Sequence, residues 1–120
     1  MRSPPWNDSE NRALIGLYFE MLDKAVIGTP YNKAAMIRNA RSMATEGGLN
    51  RSRGSIEAKL MNASAAHRDL GGEVTMDGFG YRCLTNYQAA LKAAMLEEIN
   101  DRQLTADIAT SHANEQRAGA

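Results

Sequence analysis

Apolar residues in the first part of the chain recur at spacings of three and four, the pattern of one buried helix face. The run follows the segment Trp6-Asn7-Asp8-Ser9-Glu10, in which Asn7 can cap a helix and Glu10 stands at the capping-box position. The stripe comprises Leu14, Ile15, Tyr18, Met21, Leu22 and Ala25. It predicts a helix that begins near residue 8 and ends at Gly28-Thr29-Pro30. We expect Trp6 to be a substantially buried staple that packs over the first and third helices.

Two further amphipathic runs predict a second and a third helix. In the second, Asn32 is the cap and Gly47-Gly48 the end. Its apolar positions are Met36, Ile37, Ala40, Met43 and Ala44. The third helix is capped by Ser52 or Ser55 and ends at Gly71-Gly72. Its core face is Ile56, Leu60, Ala63 and His67, which fall within about 60° of one another at 100° per residue.

The last third of the chain carries weaker patterns. Glu73 to Tyr81 contains β-formers among glycines and predicts an extended segment or a short hairpin. Asn86 is the candidate cap of a fourth helix. Its stripe is Tyr87, Leu91, Met95, Glu98 and Ile99. From Thr105 onward the residues are polar and alanine-rich, and we expect this end to fray.

These elements predict an all-α fold: a trihelical, helix-turn-helix-like core with a fourth packing helix and a frayed C-terminal tail. Alternating apolar and polar stretches are nearly missing, so a sheet of any size is not expected. We divide the chain into a disordered N-terminus (1–5), a single helical domain (6–104) and a flexible or partly helical tail (105–120). A length of 120 residues suits one domain.

Charge is balanced over the chain but not along it. Fourteen basic residues match fourteen acidic ones, so the overall charge gives no case for a polyanionic partner. Between Tyr31 and Arg68, seven cations face two anions, a net charge of +5. The cations are Lys33, Arg38, Arg41, Arg51, Arg53, Lys59 and Arg68. A basic patch on a neutral protein is therefore expected in the middle of the chain.

The residue types needed for catalysis are sparse, and we expect no enzyme, no metal and no cofactor. His67 and His112 are the only histidines and have no zinc-type spacing; we expect His67 to be a core residue held by a hydrogen bond. Cys83 is a lone cysteine, which indicates a small buried hydrophobe and a reducing, cytoplasmic setting. The chain has no apolar run long enough for a membrane span or a secretory signal, so no membrane partner is expected.

The start of the third helix is the candidate functional site. In trihelical helix-turn-helix proteins this helix enters the major groove of DNA, and arginines at its start reach phosphates or guanine edges. The predicted DNA-binding residues are Arg51, Ser52, Arg53, Ser55, Lys59 and Asn62, with Lys33, Arg38, Arg41 and Arg68 as further backbone contacts. Asn62 is the residue we expect to pair with adenine.

Two observations leave other interpretations open. Gly54, Ala58, Met61 and Ala65 form a row of mostly small residues on the other side of the third helix. That row suits close approach to a groove, but it suits packing of the fourth helix equally well. The cations themselves suit a solvated face as well as a binding face.

Several short motifs in a fixed order resemble a known bacterial domain. They are Trp6-x-x-x-Glu10, Leu14-Ile15-x-x-Tyr18-Phe19-x-Met21-Leu22, Gly28-x-Pro30-Tyr31-Asn32-Lys33-Ala34, Arg51-Ser52-x-x-Ser55-Ile56-Glu57-x-Lys59, Asn62-Ala63-Ser64-Ala65 and Gly80-Tyr81-Arg82. Together they resemble the N-terminal helical domain that precedes nuclease modules in HNH-type restriction endonucleases and related defence proteins. The layout is more distantly similar to Myb/SANT-like domains. The chain differs from the family pattern at Ala58 and Leu60, and it contains no HNH motif.

The resemblance implies target recognition without cleavage. We therefore expect a non-enzymatic module that binds double-stranded DNA in bacterial or phage defence, counter-defence (anti-CRISPR) or transcriptional regulation. The alternative is a protein-interaction module, such as an inhibitor of a defence nuclease complex, with the acidic C-terminal half as the contact surface. A long fourth helix is also a candidate for pairing with its copy in a twofold dimer.

Overall fold

The computed structural model describes residues 4–42 and 49–118, with side chains described up to residue 110. Every regular element in these residues is helical. The elements are α1 (Asp8–Ile27), α2 (Lys33–Ser42), α3 (Arg53–Asp69), a 3-10 helix (Met76–Phe79) and α4 (Ala89–Ala118). The all-α fold predicted from the hydrophobic pattern is confirmed.

Helix α1 begins and ends where its sequence motifs predict. The Asn7 side chain accepts a hydrogen bond from the Glu10 amide at 2.8 Å, and the Glu10 carboxylate accepts one from the Asn7 amide at 3.1 Å. Both bonds of the capping box are therefore present, which satisfies two amides that a helix start leaves open. At the other end Gly28 adopts φ 76°, the left-handed conformation that glycine adopts without strain.

Helices α2 and α3 are also capped by side chains. Asn32 accepts a hydrogen bond from the Ala35 amide at 2.9 Å, in agreement with its predicted role. Ser52, and not Ser55, caps α3: its hydroxyl accepts from the Ser55 amide at 3.2 Å. The predicted continuation of the second helix over Met43 and Ala44 to Gly47-Gly48 lies outside the described residues.

Helices α1, α3 and α4 pack against one another to form the core. Residues Ile56, Leu60 and Ala63 of α3 are fully buried. Helix α1 contributes the predicted stripe, of which Leu14, Ile15, Tyr18, Met21 and Leu22 are buried. Helix α4 contributes Leu91 and Met95. Burial of this apolar surface is the main stabilising term for a domain of this size.

The segment from Glu73 to Tyr81 differs from its predicted extended or hairpin form. Within it, Met76–Phe79 forms one turn of 3-10 helix, capped by the Thr75 side chain, which accepts a hydrogen bond from the Asp77 amide. Met76 is fully buried, and its amide donates a hydrogen bond to the Tyr18 hydroxyl at 3.2 Å. This tertiary anchor decides the local conformation, which local β-propensity does not encode.

Helix α4 starts later and runs further than the sequence predicts. It begins at Ala89, three residues after the predicted cap Asn86. The first helical hydrogen bonds run from the amides of Leu91 and Lys92 to the carbonyl of Gln88. It continues as a helix to Ala118, through the segment from Thr105 that we expected to be flexible or partly helical. Residues 100–110 are all exposed, so this half of α4 projects from the helical core. The molecule accordingly measures 64 × 30 × 30 Å.

A buried polar network joins α1, α3 and the 3-10 helix. The Tyr18 hydroxyl lies 2.8 Å from His67 Nδ1. Since this hydroxyl accepts from the Met76 amide, its own proton points to His67, which requires an unprotonated Nδ1. A side chain at Gly72 would collide with the His67 ring, so the loop after α3 can pack here only with glycine. His67 thus makes the predicted hydrogen bond, but it is only partly buried and lies at the edge of the core.

The histidine network makes the stability of the fold sensitive to mild acid. Burial, together with the positive charge of Arg102, lowers the pKa of His67 below its usual value of 6.5. The unfolded chain therefore takes up a proton near pH 6.5 that the folded protein resists, and stability falls as the pH drops below this value. We expect the melting temperature of the protein to decrease between about pH 7 and pH 5.5.

His67→Asn is the matched variant for this prediction, since it keeps an acceptor near Nδ1 but does not titrate. Its melting temperature is expected to be lower overall and flatter over the same pH range. Glu10 titrates in a separate window, because its pKa lies below 4.5. Equal pH slopes for the two proteins would contradict the role assigned to His67.

Candidate nucleic-acid interface

Arg51, the first of the predicted DNA-binding residues, is enclosed by contacts within the fold. Its guanidinium donates to both carboxylate oxygens of Glu10, at 2.6 and 2.7 Å. It also donates to the carbonyls of Pro4 and Pro5, at 2.5 and 3.0 Å. The two side chains of the ion pair are only 9% and 13% exposed. The hydrogen bond from Arg51 is the main reason that the pKa of Glu10 is lowered.

Trp6 and Lys59 belong to the same cluster. The Arg51 guanidinium lies 5.2 Å, and the Lys59 ammonium 5.4 Å, from the Trp6 ring, within the range of cation–π contacts. Trp6 is partly buried against the core, less than a fully covered staple would be. Lys59 donates to the Gln88 side chain at 3.1 Å, and burial, followed by the charge of Arg51, lowers its pKa. This cluster joins the start of α1, the start of α3 and the segment before α4.

Asn62, the predicted reader of adenine, lies inside the protein. Asn62 is only 8% exposed, and the next four residues of α3 are fully buried. The row of mostly small residues on α3 is covered by packing at its C-terminal end. Ala65 is buried and Met61 is partly buried. The Met61 carbonyl accepts a hydrogen bond from the Leu84 amide. Cys83, which we expected to be a small buried residue, is half-buried beside α3. Its sulfur lies 3.7 Å from the Ser64 hydroxyl.

The first turn of α3 remains open to solvent. Arg53 and Ser55 are exposed there, and the Ser52 hydroxyl both caps the helix and donates to the Ser55 hydroxyl at 3.1 Å. The Arg53 side chain is 60% exposed and forms an ion pair with Glu57 at 3.2 Å, one turn further along. Exposed pairs of this kind are weak and exchange readily with another anion. Arg53 is therefore accessible to a partner in a way that Arg51 is not.

Two arginines of α2 join Arg53 on the same surface. Arg38, Arg41 and Arg53 line one cleft of about 100 Å³, whose remaining walls are Ala34 and Ile37. Arg38 and Arg41 are one turn apart on α2 and both are exposed. Within the part of the chain that the structure describes, neither forms an ion pair with a carboxylate. We call these three residues the arginine cluster; it concentrates positive charge on one surface.

The two other predicted backbone contacts lie elsewhere. The Lys33 ammonium stands 4.4 Å above the Tyr81 ring and packs over Gly80, which joins α2 to the segment after the 3-10 helix. Burial raises the pKa of Tyr81 to about 12. Arg68 is at the opposite end of α3, 3.5 Å from Asp69. From the helix rise, it lies about 22 Å from Arg53 along the axis.

The remaining features of the surface offer little chemistry. A groove of about 400 Å³ runs between α1 and α2 and is mostly apolar, with Glu20 and Asn39 as its polar lining. No group of three His, Cys, Asp or Glu residues within 4–42 and 49–110 is placed to hold a metal ion. No helix among the described residues is long and apolar enough to cross a membrane.

Comparison of the chain with protein-family models, curated proteins and solved structures finds no match. The resemblance to the domain that precedes HNH nucleases therefore rests on the motifs themselves. The structure shows what these motifs do in this chain: Trp6, Glu10, Arg51 and Lys59 meet in one cluster, and Lys33 packs on Gly80 and Tyr81.

Every member of the arginine cluster is among the residues predicted from the sequence, but Arg38 and Arg41 were predicted only as further backbone contacts. The spacing of Arg38 and Arg41 already places them together on a helix face. Their proximity to Arg53 depends on how α2 packs on α3, which no local pattern reveals. The pairing of Arg51 with Glu10 spans 41 positions of sequence. The capping-box position of Glu10 gave no sign that its carboxylate also binds Arg51.

A comparison of two neighbouring arginines tests this division into structural and accessible cations. Arg51→Ala removes four hydrogen bonds and leaves the Glu10 carboxylate shielded without its partner. It should cost about 3 kcal/mol of unfolding free energy in a denaturant titration.

Arg53→Ala is the matched control, because it removes the same side chain two residues away. Its ion pair is exposed, so the free energy of unfolding should change by less than about 0.5 kcal/mol. Equal costs for the two variants would show that the Arg51 contacts contribute no more than a surface pair.

Proposed function

We propose that this chain is a non-enzymatic DNA-binding module that contacts the phosphates of duplex DNA through the arginine cluster. The observation that carries the proposal is the convergence of Arg38, Arg41 and Arg53 on one exposed cleft. Guanidinium groups bind phosphate oxygens with charge-assisted hydrogen bonds, often two at once. A neutral protein with three such groups on one face has a local attraction for a polyanion that its net charge hides.

The first turn of α3 supports the proposal. Ser52 and Ser55 present hydroxyls beside Arg53, and hydroxyls are common phosphate ligands. The amides of a helix start also favour an anion. These groups extend the arginine cluster by neutral donors beside the exposed Arg53–Glu57 ion pair.

The biological setting that we propose follows the motif resemblance. A helical domain of this kind, next to nuclease modules or as a separate protein, contributes DNA binding while another component cuts. Bacterial or phage defence, counter-defence and transcriptional regulation are the settings in which such a module is used, and the cytoplasm is the matching compartment.

A second candidate function, protein interaction, is favoured by one specific observation. On the projecting half of α4, Leu104 and Ile108 are one turn apart and are 59% and 62% exposed. Apolar side chains at this spacing form a ridge that suits a partner helix. The ridge lies in the acidic part of the chain, where Asp101 and Asp107 flank it. A module that binds a defence protein would use this surface in place of the arginine cluster.

Salt dependence of DNA binding separates the two candidates. Each neutralised phosphate releases counterions, so three contacts predict a slope of log affinity against log salt of about −2 to −3. Binding of a labelled duplex, followed by fluorescence anisotropy, should weaken steeply from low to physiological salt. Arg38→Gln, Arg41→Gln and Arg53→Gln should each lower the affinity and flatten the slope by about one unit.

Arg68→Gln is the control variant, because it removes the same charge at the far end of α3. Its affinity and slope should equal those of the unchanged protein. Absence of binding at micromolar protein and low salt would exclude the DNA-binding function and leave protein interaction. Binding without salt dependence would exclude a complex anchored on phosphates.

A further inference from the structure

The stretch of α3 from Asn62 to Ala66 is closed to any partner. Five consecutive residues, from Asn62 to Ala66, are buried, which in a helix means that all sides are covered. Helix α1 packs on one side, through the Tyr18 contact with His67. The segment before α4 covers another, since the Leu84 amide donates to the Met61 carbonyl and Cys83 lies beside Ser64. Helix α3 therefore cannot lie lengthwise in a DNA groove without unfolding this packing.

The side chains best suited to read bases are held by the fold. Asn62 is buried, Arg51 is paired with Glu10, and Lys59 donates to Gln88 and lies over Trp6. These three residue types are among those that discriminate bases, by paired hydrogen bonds in the major groove. Exposed on the first turn of α3 are Arg53, Gly54 and Ser55. Of these, only Arg53 has a side chain that reads a base strongly.

On the basis of the proposed function, we infer that this chain binds the sugar–phosphate backbone of duplex DNA without sequence preference. The arginine cluster approaches the duplex with the start of α3 end-on, so that Arg38, Arg41 and Arg53 meet phosphates while the base edges stay out of reach. Phosphate contacts fix position and carry no sequence information. Any sequence preference of an assembly that includes this chain then comes from another component.

The experiment uses the unchanged protein and a library of short duplexes with a randomised centre. The library is incubated with protein at low salt, and bound and free fractions are sequenced. We expect no base to be enriched at any position, and isolated AT-rich, GC-rich and mixed duplexes to bind within about threefold of one another. A sequence-specific protein instead prefers its site by roughly 10³–10⁷ over other DNA.

Enrichment of a motif in the bound fraction would overturn this inference while leaving DNA binding itself intact. No retention of any duplex at low salt would overturn the proposed function, and the inference with it. The two failures are thus distinguishable.

Arg53→Gln provides a second measurement, because Arg53 is the exposed residue most able to read guanine. Contact with phosphate predicts that its loss lowers the affinity of GC-rich and AT-rich duplexes by the same factor. A loss at least tenfold larger on the GC-rich duplex would show base readout and overturn the inference. This variant keeps the core intact, since its side chain is exposed.

Discussion

The contact between Arg51 and Glu10 fixes the geometry on which the rest of the molecule depends. It joins the first turn of α1 to the residue before the Ser52 cap of α3, across 41 positions of sequence. The guanidinium also holds the carbonyls of Pro4 and Pro5 and lies against Trp6, so the N-terminal segment packs over the start of α3. Because both side chains are shielded from water, either one left alone would be a costly charge. The pair therefore sets where the first turn of α3, with Arg53, emerges at the surface.

This arrangement divides six of the seven basic residues of the middle segment into two groups, while the seventh, Arg68, pairs with Asp69 at the far end of α3. Arg51, Lys59 and Lys33 hold the fold through an ion pair, a hydrogen bond and aromatic contacts. Arg38, Arg41 and Arg53 are exposed around one cleft. The regional charge of +5 thus overstates the charge offered to a partner. The second group is the one accessible to DNA, and the contacts of the first group keep that surface in place.

Much of the fold was predictable because it depends on local physics. Capping by Asn7, Asn32 and Ser52 needs only a side-chain oxygen near the next turn, and the stripe of α1 follows from helical periodicity. The 3-10 helix was not predictable, since the buried Met76 and its bond to Tyr18 depend on residues 58 positions apart. The candidate site was predicted only in part, because it too depends on contacts between residues that are distant in the sequence. The charges could be counted, whereas the burial of Asn62 depends on how the segment before α4 covers α3.

The most direct test of the account is a two-dimensional amide NMR titration of the isotope-labelled protein with a short duplex. It reports where the DNA lies without altering any side chain. The largest shift changes should fall on Arg38, Arg41 and the first turn of α3 from Arg53 to Ser55, and the amides of Asn62 to Ala66 should stay nearly unchanged. Changes concentrated on Asn62 to Ala66, or on residues 100–110 of α4, would contradict DNA binding through the arginine cluster.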